Sequence, residues 1–400
     1  MRTPHSILVA AAVLLGIISF GEGRTVVGTE QSSSAMIAKI EGQQSPNRQG
    51  HDGFTLQELM QKYRVPGISI AVIKDFEIHW AKGYGVVDVE TNLPVELGTL
   101  FQAASISKPV TAMAVLKAVQ DGRFSLDDDI NKILTSWKVP QSEFTKLTPV
   151  TLRALLSHTS GSGDGFGFPG YHPSEPRPTL VQILAGQKPS NVGPVLFERS
   201  PFTAFKYSGG GTTIVQLAIT DSLAKPFAEI MRERVLDPLK MTDSSYEQPL
   251  PSGREVKAAR AHSGQGKTMD AKSHVYPEQA AAGLWTNPSD LARFAIEVQR
   301  AARGPAGRVL SQAMAREMIT PVGVGPFAVG LTVDKRGEGW YFSHGGGNWG
   351  FRCDLVAHVR KGYGVVVMTN SDSGGAVLNE IETRVAAAYS WDSLDKPVPR

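Results

Sequence analysis

The chain has 400 residues, 41% hydrophobic and 20% charged, with 41 Lys and Arg against 38 Asp and Glu for a formal net charge of +3. That composition supplies a sizeable core and excludes a collagen, a coiled coil or a wholly disordered chain. No run of Lys or Arg marks a nucleic-acid face, and the single cysteine, Cys353, excludes an intramolecular disulfide framework and a cysteine-based metal site.

Residues 1–21 read as a secretory signal peptide: Arg2 and His5 precede an apolar run from Ile7 to Phe20, and Ser19 and Gly21 offer small residues for cleavage. A bilayer span needs about 20 apolar residues, so this run is short for a retained anchor, the alternative reading. The expected location is therefore secreted or periplasmic, with no stable membrane insertion after cleavage. Residues 22–52 are polar, with Ser32-Ser33-Ser34 and Gln43-Gln44-Ser45-Pro46, and read as a flexible lead-in. In an oxidising compartment, Cys353 reads as a buried thiol within an apolar strand.

Folded sequence starts near Phe54, where Leu56, Leu59, Met60 and Tyr63 have helical spacing, and Pro66-Gly67 ends that helix. Ile68 to Ile73 and Phe76 to Gly83 predict two strands joined by a tight turn at Lys74-Asp75. From Ile106 to about Lys240 the pattern is mostly helical. It is interrupted by a loop, Gly161 to Pro178, with five glycines and four prolines, long enough to suggest a functional role. Asn287-Pro288-Ser289-Asp290 predicts a helix start, with a capping side chain, Pro in the first turn and an acid three residues after the cap. Phe327 to Val333, Trp340 to Ser343, Phe351 to Val359 and Tyr363 to Thr369 read as strands, and Val377, Ile381, Val385 and Tyr389 as one face of a closing helix.

Strand-forming segments at both ends of the chain, with helices between, predict an α+β fold (mixed α/β). An antiparallel sheet is built from both termini and flanked by helices, with a mostly helical lobe inserted. A single domain is expected over 53–390, with a sheet part at about 53–105 and 275–390 and a lobe at about 106–274, followed by a tail at 391–400. A site is expected in the crevice between sheet and lobe.

Three short motifs carry chemistry. Ser-x-x-Lys places a lysine one helical turn from a serine, where it can take the hydroxyl proton while the first-turn N–H groups face developing negative charge. It occurs at Ser105-Ile106-Ser107-Lys108, Ser222-Leu223-Ala224-Lys225 and Ser393-Leu394-Asp395-Lys396, and only Ser105 follows an extended segment and opens a long apolar helix. His344-Gly345-Gly346-Gly347 ends one strand and precedes another, and its glycines allow a substrate to approach a strand edge. Tyr207, on Tyr207-Ser208-Gly209-Gly210-Gly211, projects from a glycine-rich loop, where a neighbouring Lys⁺ favours the phenolate. Taken singly, these are an N-cap serine, a structural histidine and a packing tyrosine. Their joint occurrence in this order is what carries weight.

Ser105-x-x-Lys108, Tyr207 and His344-Gly345-Gly346 resemble the serine β-lactamase and penicillin-binding protein superfamily, and most of all its class C β-lactamase-like branch of carboxylesterases, D-amino-acid peptidases and DD-peptidases. Thr151 to Gly161 and Met231 to Met241 resemble flanking segments of that branch. The resemblance covers about residues 53–390 and implies a β-lactamase/transpeptidase-like fold. It implies Ser105 as acylated nucleophile, Lys108 as its activator, and Tyr207 as general base for acylation and for the deacylating water. It places His344 where many relatives carry the lysine of Lys-Thr-Gly, and implies an oxyanion hole from the N–H groups of Ser105 and Gly347, beside Gly345 and Gly346. Gly209 replaces the asparagine of Tyr-x-Asn, and Ser-Asp-Asn is absent.

These departures point to a carboxylic ester or small amide. The alternatives are a β-lactamase or D-Ala-D-Ala carboxypeptidase, or a catalytically idle cell-wall binding module. No His-Glu-x-x-His, Walker or dinucleotide motif calls for a metal or cofactor. Gly161-Ser162-Gly163 fails as a nucleophile elbow because Asp164 intervenes before Gly165. The expected partner is a small-molecule ester, β-lactam or D-amino-acid peptide, and no nucleic acid.

Overall fold

Thr55 opens the first sheet-side helix with a capping box: its side chain accepts from Glu58 N–H at 3.2 Å, and the Glu58 carboxylate accepts from Thr55 N–H at 2.7 Å. The computed structural model describes residues 32–44, 50–51, 53–164, 167–304, 307–337 and 339–391. The expected signal peptide at 1–21 and residues 392–400 of the expected tail lie outside the described residues.

The elements that position the site are few. Helices α1 (Ser33–Glu41) and α2 (Leu56–Tyr63) precede strands β1 (Gly67–Lys74) and β2 (Glu77–Gly85). Short strand β3 (Phe101–Gln102) leads through a 3-10 turn, Ala104–Ile106, into α3 (Ser107–Gln120). Helix α4 (Gly209–Leu223) centres the lobe, and β4 (Trp285–Thr286) precedes α5 (Pro288–Arg303). Strands β5 (Thr332–Arg336), β6 (Gly339–Asn348), β7 (Phe351–His358) and β8 (Gly364–Thr369) precede α6 (Gly375–Ala388).

Six strands form one antiparallel sheet in the order β2-β1-β8-β7-β6-β5. Its two halves meet where β1 pairs with β8, from Ile68 opposite Thr369 to Ile73 opposite Gly364, so the sheet is built from both chain ends. Period-two alternation divides its core. Ile68, Ile70, Val72, Val365 and Val367 pack with α1, α2 and α6, while Ala71, Ile73, Val366 and Met368 pack with α5 and the lobe. Cys353 lies buried in β7 as expected, but the strand is not purely apolar, since Arg352 and Asp354 flank it. Among the described residues, no helix is long and apolar enough to cross a membrane.

Several local expectations shift. The lead-in is not uniformly flexible: α1 buries Met36 and Ile40 against the core, because the buried Arg384 of α6 donates to the carbonyls of Ile40, Gly42, His51 and Phe54. The first hairpin turns at Asp75 (φ 53°) and Phe76 (φ 63°), one residue later than expected, in the left-handed pair suited to the twist of antiparallel strands. Phe327 to Leu331 is not strand. Gly330, at φ 92°, donates to Leu156 O at 3.0 Å and ties this segment to the lobe, so β5 starts at Thr332. The predicted helix start holds: Asn287 accepts from Asp290 N–H at 2.9 Å.

Candidate active site

Extended β3 brings the chain to Ala103, whose N–H is held by Leu284 O at 2.8 Å, and a sharp turn follows. Ala104 takes φ 47°, a left-handed conformation that costs an alanine about 1–2 kcal/mol. Ser107 Oγ secures the turn, donating to Ala104 O at 2.5 Å and accepting from Leu284 N–H at 3.0 Å. Ser105 is thus held, partly exposed, at the mouth of α3. One turn on, buried Lys108 donates through Nζ to Ser105 Oγ at 3.1 Å and to Ala281 O at 2.8 Å. Burial pulls its pKa down to about 7, against the opposing charge of Asp164. The second Ser-x-x-Lys has none of this: α4 ends at Leu223, and Lys225 pairs on the surface with Glu233 and Glu229. Ser393 and Lys396 lie outside the described residues.

Tyr207 immediately precedes α4. The glycines after it form the first turn of the helix rather than a loop, because Ser208 caps it by accepting from Gly211 N–H at 2.7 Å. Asp164 reinforces the cap, accepting from Ser208 Oγ at 2.6 Å and from Gly210 N–H at 2.7 Å. The Tyr207 hydroxyl is hydrogen-bonded to the Ser105 side chain, and Lys108 Nζ lies 5.1 Å from the phenol ring centre. Burial pushes the Tyr207 pKa up, so the phenol keeps its proton at neutral pH while Lys108 sits near its own midpoint.

His344 does not end a strand. β6 runs on through the glycines to Asn348, which pairs with Phe351. Its partner on the other side, β5, reaches only Ser343, so 344–348 presents an open strand edge toward the Ser105 turn. Gly346 is obligatory: a Cβ there would meet Ala103 O at 2.4 Å and Cys353 Sγ at 2.6 Å. Gly345 and Gly347 are exposed. The His344 ring lies 6.1 Å from Tyr207, with Nδ1 2.7 Å from Gly345 O and Nε2 buried without a hydrogen-bond partner. Burial, with Lys108 adding to it, drops its pKa to about 3. The imidazole is therefore neutral.

Ser105, Lys108, Tyr207 and the His344–Gly347 edge thus lie together at one site. A serine hydroxyl hydrogen-bonded to an amine near its pKa can attack a carbonyl, and strand-edge and helix-start N–H groups can receive the oxyanion. Other side chains contribute. Phe168, from the long loop, packs where a Cβ on Gly209 would sit, 2.8 Å from its Cε2. Phe327 packs its ring 5.8 Å from His344 and 6.0 Å from Tyr207. Asp164 entered only as the residue that spoils an elbow motif, and Ser162 is buried, bonded to Ser160 at 2.9 Å. No local pattern announces these roles, because each depends on segments far apart in the chain.

A sequence model of the family described as Beta-lactamase matches residues 55–390. Protein flp of Staphylococcus aureus (strain N315) is 23% identical over 323 residues, covering 78% of this chain and 61% of flp. The chain therefore spans about three-fifths of that relative's length. Esterase EstB of Burkholderia gladioli is 25% identical over 326 residues, covering 72% of this chain and 76% of the esterase. The octameric penicillin-binding protein homologue from Pyrococcus abyssi shares the fold, with a TM-score of 0.67 at 23% identity over 86% of this chain and 78% of that one.

Proposed function

The chain belongs to the beta-lactamase family, and from that premise we propose that it is a serine hydrolase, a secreted or periplasmic carboxylesterase-like enzyme acting through an acyl-serine intermediate on uncharged esters or small amides. Lys108, in its neutral form, takes the Ser105 proton as Oγ bonds to the substrate carbonyl carbon. The N–H groups of Ser105 and Gly347 receive the oxyanion. Losing one such donor typically costs about 100- to 1,000-fold in rate. Collapse breaks the bond to the leaving group, whose oxygen or nitrogen takes the Tyr207 proton, and the Lys108 ammonium restores that proton. Water then repeats the sequence on the acyl-serine, releasing the acid and Ser105.

The observation that carries the substrate reading is His344: a neutral, buried imidazole stands where a fixed cation would hold a substrate carboxylate. Phe168 at Gly209 supports it, because an aromatic edge replaces an amide that would bond a peptide-like side chain. The named activity of EstB is consistent with this. The test compares steady-state kcat/KM of the purified protein for short-chain esters, a chromogenic cephalosporin and a D-Ala-D-Ala peptide. Esters are expected to lead by about 100-fold or more, the scale set by an unmatched charged group. A cephalosporin or peptide rate above the ester rate would overturn the substrate assignment in favour of a β-lactamase or carboxypeptidase. No turnover of any substrate would favour the idle binding module.

A further inference from the structure

We propose that His158 is a positioning residue for Tyr207, a role that rests on the acyl-serine reading above. His158 grips the chain on both sides of the tyrosine. Its backbone carbonyl accepts from Lys206 N–H at 2.9 Å, and its Nδ1 accepts from Ser208 N–H at 3.1 Å. Between these two bonds, its ring lies against the Tyr207 ring, with centroids 4.2 Å apart and planes 30° from parallel. Phe327 closes the stack edge-on, 4.7 Å from the His158 centroid.

The residue is built for this contact. It sits in the left-handed region at φ 57°, a conformation that turns the chain out of the Leu152–Leu156 helix and delivers the carbonyl and ring to the same neighbour. Accepting through Nδ1 requires a lone pair there, so the ring is neutral with its proton on Nε2. Burial first, then the charge of Lys108, holds its pKa well below the ordinary value, which keeps that tautomer available through the neutral range. A phenol has two soft torsions. Fixing the main chain at 206 and 208 and one ring face leaves the Tyr207 hydroxyl aimed at Ser105, where a displacement of about 1 Å costs on the order of 100-fold.

Two variants separate positioning from bulk packing. His158→Asn keeps a residue that tolerates positive φ and an amide oxygen to replace Nδ1, but removes the ring. His158→Leu removes both ring and acceptor. Each is reacted with a fluorophosphonate and assayed on a short-chain ester, with rates normalised to titrated active sites so that unfolded protein does not count. Ser105 phosphonylation is expected to slow by at least about tenfold in His158→Leu, with His158→Asn between it and wild type, and kcat is expected to fall while KM stays within about twofold. The Lys108 limb of the pH profile should also move to higher pH. Water admitted beside Tyr207 relieves the burial that depresses Lys108, whose other neighbours are Asp164 from the long loop, His344 from β6 and the Ala281 carbonyl. Wild-type phosphonylation rates and an unmoved limb in both variants would overturn the role. Should His158→Leu fail to fold, His158→Asn decides alone: a slower rate supports the role and a wild-type rate removes it. Phosphonylation without ester turnover in wild type would count against the ester reading only, leaving the His158 comparison intact.

Discussion

Among the described residues, Lys108 donates to Ser105 Oγ and Ala281 O, and neither partner is a carboxylate. Burial therefore sets its titration near pH 7. In the proposed mechanism the neutral amine is the form that accepts the Ser105 proton, so kcat/KM should rise with pH through about 7 and level off above it. His344, titrating near 3, adds no limb in that range. Lys108→Met should lose both the limb and at least about 100-fold in kcat/KM, read from a pH-rate profile on a short-chain ester. An acidic limb unchanged in that variant would assign it to another group. Ser105, Lys108, Tyr207 and His344 were legible from spacing and order. Their protonation states were not, because burial pulls Lys108 and His344 down and pushes Tyr207 up, and burial is a property of the packed lobe.

At the level of elements, local chemistry read well and remote chemistry did not. The α5 start was visible because Asn287 and Asp290 satisfy each other within one turn. The glycines of α4 pointed to a loop because propensity disfavours them in a helix, and Ser208 with Asp164 overrides that preference. Helix α1 was hidden among polar residues, since what orders it is Arg384, far along the chain. That guanidinium is 1% exposed, pairs with the equally buried Glu380 at 2.6 Å, and donates to four carbonyls of the segment between Ile40 and Phe54. Arg384→Met should cost about 3–5 kcal/mol, because it leaves a buried carboxylate unpaired and frees those carbonyls. Denaturant unfolding measures the loss, and limited proteolysis should cut between residues 33 and 54 first. A variant as stable and as protease-resistant as wild type would show that α1 docks by its apolar face alone.

Across the whole molecule, the alternation of apolar segments was enough to foresee a sheet drawn from both chain ends. The β1–β8 pairing is where that happens. What it achieves is placement: the strand that carries the His344–Gly347 edge arrives late in the chain, and the turn that carries Ser105 arrives early. Gly346 lets them touch, with no room for a Cβ between them. The lobe then adds Tyr207 from a third direction. A site assembled from three distant segments has no single sequence signature, which is why the ordered set of motifs was informative and each alone was not. The most direct test is the intact mass of wild type and Ser105→Ala after exposure to a fluorophosphonate and, separately, to a short-chain ester. The account predicts one phosphonyl adduct on wild type, mapped to Ser105, ester turnover by wild type alone, and an unmodified mass for Ser105→Ala. An adduct on Ser105→Ala, or none on wild type, would contradict it.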